Sequence, residues 1–232
     1  MYGTAAKTIQ RVVRGYNLRK NRLPNSLYYT KNILENNYFP TASVSDDGRI
    51  NSCMDETSII NILLEHIPNR IKTPEKRHWF DVQVRDFRYG WLPINIKSTS
   101  MQSADNTGNL AMCVYALTDE VLDLNRCYNN GPMSKILMDK LKNNKLNKQL
   151  KKDYYFIVYN KSDTKKIIIN SYKGLDNLTG NINNLPFQVK WQNNQQFSYK
   201  NMKTVVSKFK KAVQTPLPSW REEFLRNMRD LD

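Results

Sequence analysis

The sequence predicts an α/β protein with a mixed central β-sheet flanked by helices, on three observations. The apolar period changes along the chain, from the helical spacing of Ile59, Ile60, Leu63, Leu64 and Ile67 to the alternation of Phe80, Val82, Val84 and of Leu92, Ile94, Ile96. The segments run helix, strand, strand, helix, strand, strand, helices, an order that a layered α/β or α+β domain accommodates. Hydrophobic residues make up 40% of the 232, enough to bury one such core.

Taken in order, residues 1–22 read as a basic helix, with Ile9, Val12, Val13 and Tyr16 at helical spacing among Arg11, Arg14, Arg19 and Lys20. Pro24-Asn25 breaks it, so 1–22 is expected to be an extension and 23–232 a single domain. A second helix is expected over 26–36, and a loop from Pro40 to Ile50. Ser52 and Asp55 resemble a capping box, which starts a helix over 53–66 that Pro68 ends. HWFDVQVRDFR and LPINIKST then form an antiparallel hairpin turning at Tyr89-Gly90. Ser103 is expected to cap a helix running to about residue 118, with Asp105 and Asn106 in its first turn. A Lys/Asn/Leu-rich helix over 134–153 precedes strands at Tyr154–Tyr159 and Ile167–Asn170. A weak strand near Phe187–Trp191 and helices over 202–213 and 219–230, divided by Pro-Leu-Pro, complete the chain.

Charge narrows the function. Lys and Arg number 36 against 21 Asp and Glu, a net charge of +15, which points to a polyanionic partner, nucleic acid first and an acidic membrane surface second. No apolar run approaches the roughly 20 residues of a membrane span, and the N-terminus lacks a secretory h-region. Three cysteines with no CxxC argue against a disulfide scaffold and for a reducing, intracellular setting. The two histidines, His66 and His78, are too few for a zinc cluster, and neither has a nucleophile motif near it. Both read as non-catalytic surface or cap residues, Trp79 and Trp91 as packing, and Asp86 as a strand-end charge.

The hairpin carries the chemistry. Asp81 lies on its first strand, and Asn95, Ile96 and Lys97 lie on its second. Strand side chains have period two, so Asn95 and Lys97 share a face that Asp81 can meet across the pair. Phosphodiester hydrolysis needs a divalent ion held by hard oxygens. Asp81, the Asn95 amide and the Ile96 carbonyl could supply them, with Lys97 orienting the attacking water or stabilising developing charge. Glu56 on the preceding helix, or Glu35 on the one before, could add a carboxylate. Set against this, Asp81 and Lys97 could form a plain cross-strand ion pair, and Glu56 could complement a helix dipole. A helix opening at Ser103 beside Lys97 would offer a phosphate seat.

Across these residues the chain resembles the PD-(D/E)xK nuclease superfamily, and within it the ScaI family of type II restriction endonucleases. The likeness runs from Phe80 to Glu120, about a quarter of the chain with Glu56. It rests on the Asp81 strand, on Pro93-Ile94-Asn95-Ile96-Lys97 and on Ala104-Asp105-Asn106. It implies a restriction-endonuclease-like fold and magnesium-dependent, site-specific cleavage of double-stranded DNA by a homodimer. It implies catalytic Asp81, Asn95, Lys97 and Glu56, with Asp81, Glu56 and Ile96 on the metal. DNA contacts are expected from Ser98, Thr99, Ser103, Asn106, Arg14 and Arg19. Asn95 stands where the superfamily usually has an acid, so the site is one negative charge short unless Glu56 supplies it. The origin this suggests is bacterial or a large DNA virus.

Ile9, Gln10, Arg14, Gly15 and Arg19 also match the IQ pattern bound by calmodulin-like proteins. A basic amphipathic helix can present apolar anchors to a groove and cations to an acidic lobe. The same cations could instead lie along a DNA backbone. Two rivals to the nuclease reading follow: a non-catalytic basic nucleic-acid-binding or calmodulin-binding protein, and a repair or junction nuclease on the same fold.

Overall fold

The longest strand, β3 (Gly90–Thr99), organises the molecule. The computed structural model describes residues 7–15, 21–37, 41, 43, 46, 48–75, 78–163, 166–180, 186–214, 224 and 226–228, with Arg49 described in its backbone alone. Beside β3 on one side lie β2 (Val82–Asp86) and then β1 (Ile71–Lys72), all antiparallel. On the other side β5 (Tyr155–Asn160) runs parallel to β3, and β6 (Ile167–Ser171) closes the five-stranded sheet antiparallel to β5. A second sheet has three two-residue strands in the order β4 (Asp105–Asn106), β8 (Gln188–Val189), β7 (Leu178–Thr179).

Helices cover both faces of the large sheet. Residues 7–15 are helical (α1), followed by α2 (Asn25–Asn36) and α3 (Gly48–His66). Leu27, Ile33 and Leu34 of α2 and Ile59 and Leu63 of α3 share one core with Val82, Val84, Ile94, Ile96, Ile157 and Ile169. On the opposite face lie α4 (Leu110–Leu117), α5 (Asn130–Lys142) and α6 (Met202–Val213). They pack with Trp79, Phe80, Tyr154, Phe156 and Val158. β5 shows the cause in five letters: Tyr155, Ile157 and Tyr159 enter one core, Phe156 and Val158 the other. Strand period two sends alternate residues to opposite faces, and a sheet covered on both sides needs both apolar. Fully burying one such side chain is worth roughly 1.5–3 kcal/mol. Parallel β3 and β5 cannot be joined by a tight turn, and α4 and α5 occupy the connection between them.

Several boundaries differ from the sequence reading. α3 begins at Gly48, so Ser52 is no cap; its hydroxyl lies within the helix and donates to the Gly48 carbonyl at 2.8 Å. No helix begins at Ser103. Asp105 and Asn106 pair with Val189 and Gln188 as β4, and Asn109 caps α4 by accepting from the Met112 amide at 2.8 Å. The chain stays tight between them because Gly108 passes over Phe187, where a Cβ would stand 2.7 Å from the ring. α5 ends at Lys142, and the Asn147 amide then donates to the carbonyls of Ala116 and Lys152. The first hairpin strand starts at Val82, because Trp79 and Phe80 both turn into the α4/α5 core. Of the last expected helix, 219–230, residues 224 and 226–228 are helical and the rest lie outside the described residues.

Candidate functional site

β3 outruns its neighbour. β2 accompanies it only along Gly90–Ile94, whereas β5 pairs with Ile94–Thr99. From Asn95 onward the β2-side edge of β3 has no strand beside it, and unpaired edge amides and carbonyls demand partners. Side chains supply them. The Ile96 amide donates to Asp81 Oδ2 at 2.7 Å, and the Ser98 amide bonds to the Glu56 carboxylate. The Ser98 carbonyl accepts from the Ser52 hydroxyl at 3.3 Å. Residues of one strand parity point their backbone groups the same way. The Ile96 carbonyl therefore shares the edge of the Ile94 carbonyl, which accepts from the Asp81 amide, and lies between the two carboxylate-capped amides.

Asp81 sits one step beyond the Val82–Ile94 pair, across from Asn95. Lys97, two residues on, donates to Glu56 Oε1 at 3.0 Å. The alternative reading, a plain Asp81–Lys97 cross-strand ion pair, is absent among the described residues; Lys97 is bonded to Glu56 and feels Asp81 as a neighbouring charge. Glu56 lies in the third turn of α3, away from the helix N-terminus, so it does not serve the dipole there. Glu35 is at the far edge of the sheet, 3.5 Å from Lys31 and accepting from the Ile167 amide. Asp86 accepts from the Ser26, Arg88 and Tyr89 amides, tying α2 to the β2–β3 turn, where Gly90 has φ +73.

The charged groups at this edge perturb one another. Burial pushes the Asp81 carboxyl up, against the pull of Lys97 and the Ile96 amide. Burial also raises Glu56; Lys97 pulls it back, and the Asp81 charge adds to the rise. Burial disfavours the Lys97 ammonium, yet Glu56, Asp81 and Asp105 together hold its pKa above the usual lysine value. Asp105, raised by burial and moderated by Thr99, Lys97 and Lys161, has an Oδ2 buried with no hydrogen-bond partner. Asn95 Oδ1 is likewise buried and unpartnered. Two orphaned oxygens near two half-buried carboxylates form a set of hard donors with unmet demand.

Glu56, Lys97, Ser98, Thr99, Ser103 and Asn106 all line one cleft of about 650 Å³. Asp81 and Asn95 are not in its wall. Arg14, on exposed α1, is not among the lining residues, and Arg19 lies outside the described residues. The cleft also holds Lys161, which the sequence reading passed over; its ammonium is 3.1 Å from buried Asp55, and Asp55 accepts from the Ser98 hydroxyl at 2.7 Å. Lys161 follows β5 directly, and the C-terminal ends of adjacent parallel strands open at the same edge of a sheet. That topology was the available signal.

Among the described residues, no three His, Cys, Asp or Glu side chains form a ready-made metal cage. Magnesium does not require one, since it is commonly held by one or two carboxylates together with waters and substrate phosphates. Asp81, Glu56, the Ile96 carbonyl and the orphaned Asn95 Oδ1 fit that donor chemistry. No protein-family model matches the chain, and no curated protein matches it.

Proposed function

We propose that the chain is a magnesium-dependent, site-specific endonuclease of double-stranded DNA, akin to type II restriction enzymes of the PD-(D/E)xK class. One observation carries this reading. The open edge of β3 brings Asp81, Glu56 and the Ile96 carbonyl together beside Lys97 and an orphaned Asn95 oxygen, and of these Glu56 and Lys97 open onto a cleft in a chain of net charge +15.

Asp81 and Glu56 would hold the ion, with the Ile96 carbonyl and Asn95 Oδ1 as neutral ligands. When bound, magnesium neutralises phosphate charge and makes water a better nucleophile. The chain's own groups do the rest. Lys97, whose ammonium stays protonated at neutral pH, moves from Glu56 to the attacked phosphate and offsets its growing negative charge. Lys161, anchored by Asp55, and the Ser98, Thr99, Ser103 and Asn106 side chains grip the backbone around it. A homodimer would match the two-fold symmetry of a palindromic site. The free cysteines Cys53, Cys113 and Cys127 suit a reducing, intracellular setting in a bacterium or a large DNA virus.

The test is digestion of long, unmethylated duplex DNA with and without magnesium. Discrete fragments formed only with the ion are expected. Binding with no cutting under any divalent ion would leave a non-catalytic DNA-binding protein, and preference for branched over linear duplex would indicate a junction nuclease. A second role at α1 is favoured by the exposure of Ile9, Val12 and Val13 on a basic helix. Purified calmodulin should then bind the full chain in a calcium-sensitive way; no binding removes that role.

A further inference from the structure

A second cleft, of about 530 Å³, opens near the other end of β3, beside Leu92. Lys97 lies five steps along the strand from Leu92, about 17 Å, so the two clefts are distinct. Its wall includes Arg88, Tyr89, Tyr115, Gln149, Lys151 and Lys152, with leucines between them. Beneath it the lysines are concentrated in an unusual way. Lys151 is 8% exposed and Lys173 fully buried, and both adjoin one buried carboxylate, Asp153.

Backbone carbonyls hold these ammonium groups. Lys151 donates to the Arg22 carbonyl, Lys152 to those of Thr118 and Glu120, and Lys173 to those of Gln149 and Lys152. Carbonyls fix the heads in place without cancelling their charge. Among the described residues neither Lys151 nor Lys152 makes a salt bridge, and nearby Asp119 and Glu120 are both taken by Lys140 at 2.8 Å. Asp153 accepts the Tyr154 amide and faces the Lys173 amide. Asp119 and Glu120 also act on Lys152 but are shared with Lys140, so four lysines stand against three carboxylates and the floor of the cleft stays positive, an arrangement that is costly without an anion. Burial accordingly pulls the Lys151 and Lys152 ammonium groups down to about 8.

We propose that this cleft binds a nucleoside phosphate, with the phosphate on Lys151, Lys152 and Arg88 and the base on the apolar wall beside Tyr89 and Tyr115. The volume is that of a small-molecule site. Lysine supplies point charges for phosphate, and a half-buried tyrosine ring with leucines suits a flat heterocycle. A duplex backbone tracks exposed cations, whereas these heads are sunk among carbonyls and apolar side chains.

The experiment is calorimetric titration of the full chain with the four nucleoside monophosphates, their nucleosides and inorganic phosphate. At least one monophosphate binds more tightly than inorganic phosphate and at least tenfold more tightly than its nucleoside. Lys151→Gln combined with Lys152→Gln weakens that binding about tenfold or more. Should the double variant fail to fold by circular dichroism, lysine acetylation of the wild type decides: the nucleotide protects Lys151 and Lys152 and leaves Lys97 reactive. The proposal is overturned if no monophosphate binds or if inorganic phosphate binds as well as all of them. Unchanged affinity in the folded double variant, or protection at Lys97 instead, overturns it equally.

Discussion

The two ends of β3 present opposite electrostatic problems. Beyond Asn95, half-buried carboxylates crowd around Lys97: Glu56 bonds it, and Asp81 and Asp105 add their fields. Beside Leu92, buried lysines crowd around Asp153. The carboxylates at the first end sit above their usual pKa range, and the lysines at the second sit below theirs. Burial disfavours charge at both ends, and the opposite charges present, Lys97 at the first and Asp153 at the second, offset it only in part. The excess differs in sign, carboxylates outnumbering Lys97 at the first end and lysines outnumbering Asp153 at the second, and on the functions proposed above the first would take a cation and the second an anion.

The largest effect that sharpens this contrast is on cleavage. Lys97→Ala should lower the rate by on the order of 10²–10³, while circular dichroism stays native because the Ser98 and Ile96 amides keep their caps. Asp81→Asn should be at least as damaging, although an amide oxygen can still accept from Ile96. The same variant should be more stable than wild type at neutral pH without a divalent ion, by on the order of 1–2 kcal/mol. The sign follows from burial: Asp81 titrates higher folded than unfolded, so its charge costs stability above the folded pKa and nothing below the unfolded one. The gap between variant and wild type should therefore close as the solution is acidified. Full cleavage by Lys97→Ala would remove the catalytic reading of this end.

Asn95→Asp should come next. Its Oδ1 has no partner and lies across from Asp81, which is already raised. A second carboxylate there should lower stability by about 2 kcal/mol without a divalent ion, and magnesium should restore it more than it stabilises the wild type. Thermal unfolding against magnesium concentration reads both; a variant as stable as wild type and indifferent to the ion would show that Asn95 does not face a cation site.

These residues were readable in advance because period two is a local property. Asp81, Asn95 and Lys97 share a face in any hairpin of this register, and the Leu92, Ile94, Ile96 stripe fixed the register. The five strands of the large sheet were legible apart from two-residue β1, and α6 at Met202–Val213 fell where its spacing put it. What was hidden depends on distant partners. β4 exists only because Gln188 and Val189 pair with it, so Asp105 looked helical. The extra turn of α3 before Ser52 had no apolar stripe to announce it. The lysine cluster joins Arg22, Lys151 and Lys173 from three separate segments, which no local pattern brings together.

At the lysine end the expected effect is smaller. Lys151 and Lys152 are charged at neutral pH and titrate near 8 folded but near 10.5 unfolded. Between those values the unfolded chain binds more protons, so stability should rise with pH. Allowing for solvent screening of buried Lys151 and half-buried Lys152, the gain is on the order of 1 kcal/mol. Lys97 and Lys140 are shifted the other way and act only above 10.5, but the buried Cys113 thiol, held well above its usual value, opposes the rise from about pH 9 upward. Urea titrations at pH 7.5 and pH 8.5, below the range where Cys113 opposes it, measure it. A nucleoside monophosphate should shrink the rise; a fall in stability over this range would mean the lysines are neutralised in a way the carbonyl contacts do not reveal.

The smallest effect concerns where the lysine end meets the N-terminal segment. On α1, Ile9, Val12 and Val13 are 63%, 61% and 51% exposed, so they contribute little to either core. Removing residues 1–21 should change stability by no more than about 0.5 kcal/mol, the range of ordinary surface changes. Cutting there keeps the Arg22 carbonyl, which accepts from Lys151, and keeps Leu23, which is 4% exposed in the α2/α3 core. Specific cleavage by the truncated chain should therefore match the full chain, with only a shallower salt dependence of DNA affinity if Arg11 and Arg14 touch phosphates. Lost folding would make α1 part of the core, and the IQ-like pattern would then be packing rather than a docking helix. Unchanged folding with lost nucleotide binding would instead mean that the segment before Arg22 orders the carbonyl gripping Lys151, tying the extension to the anion end of β3.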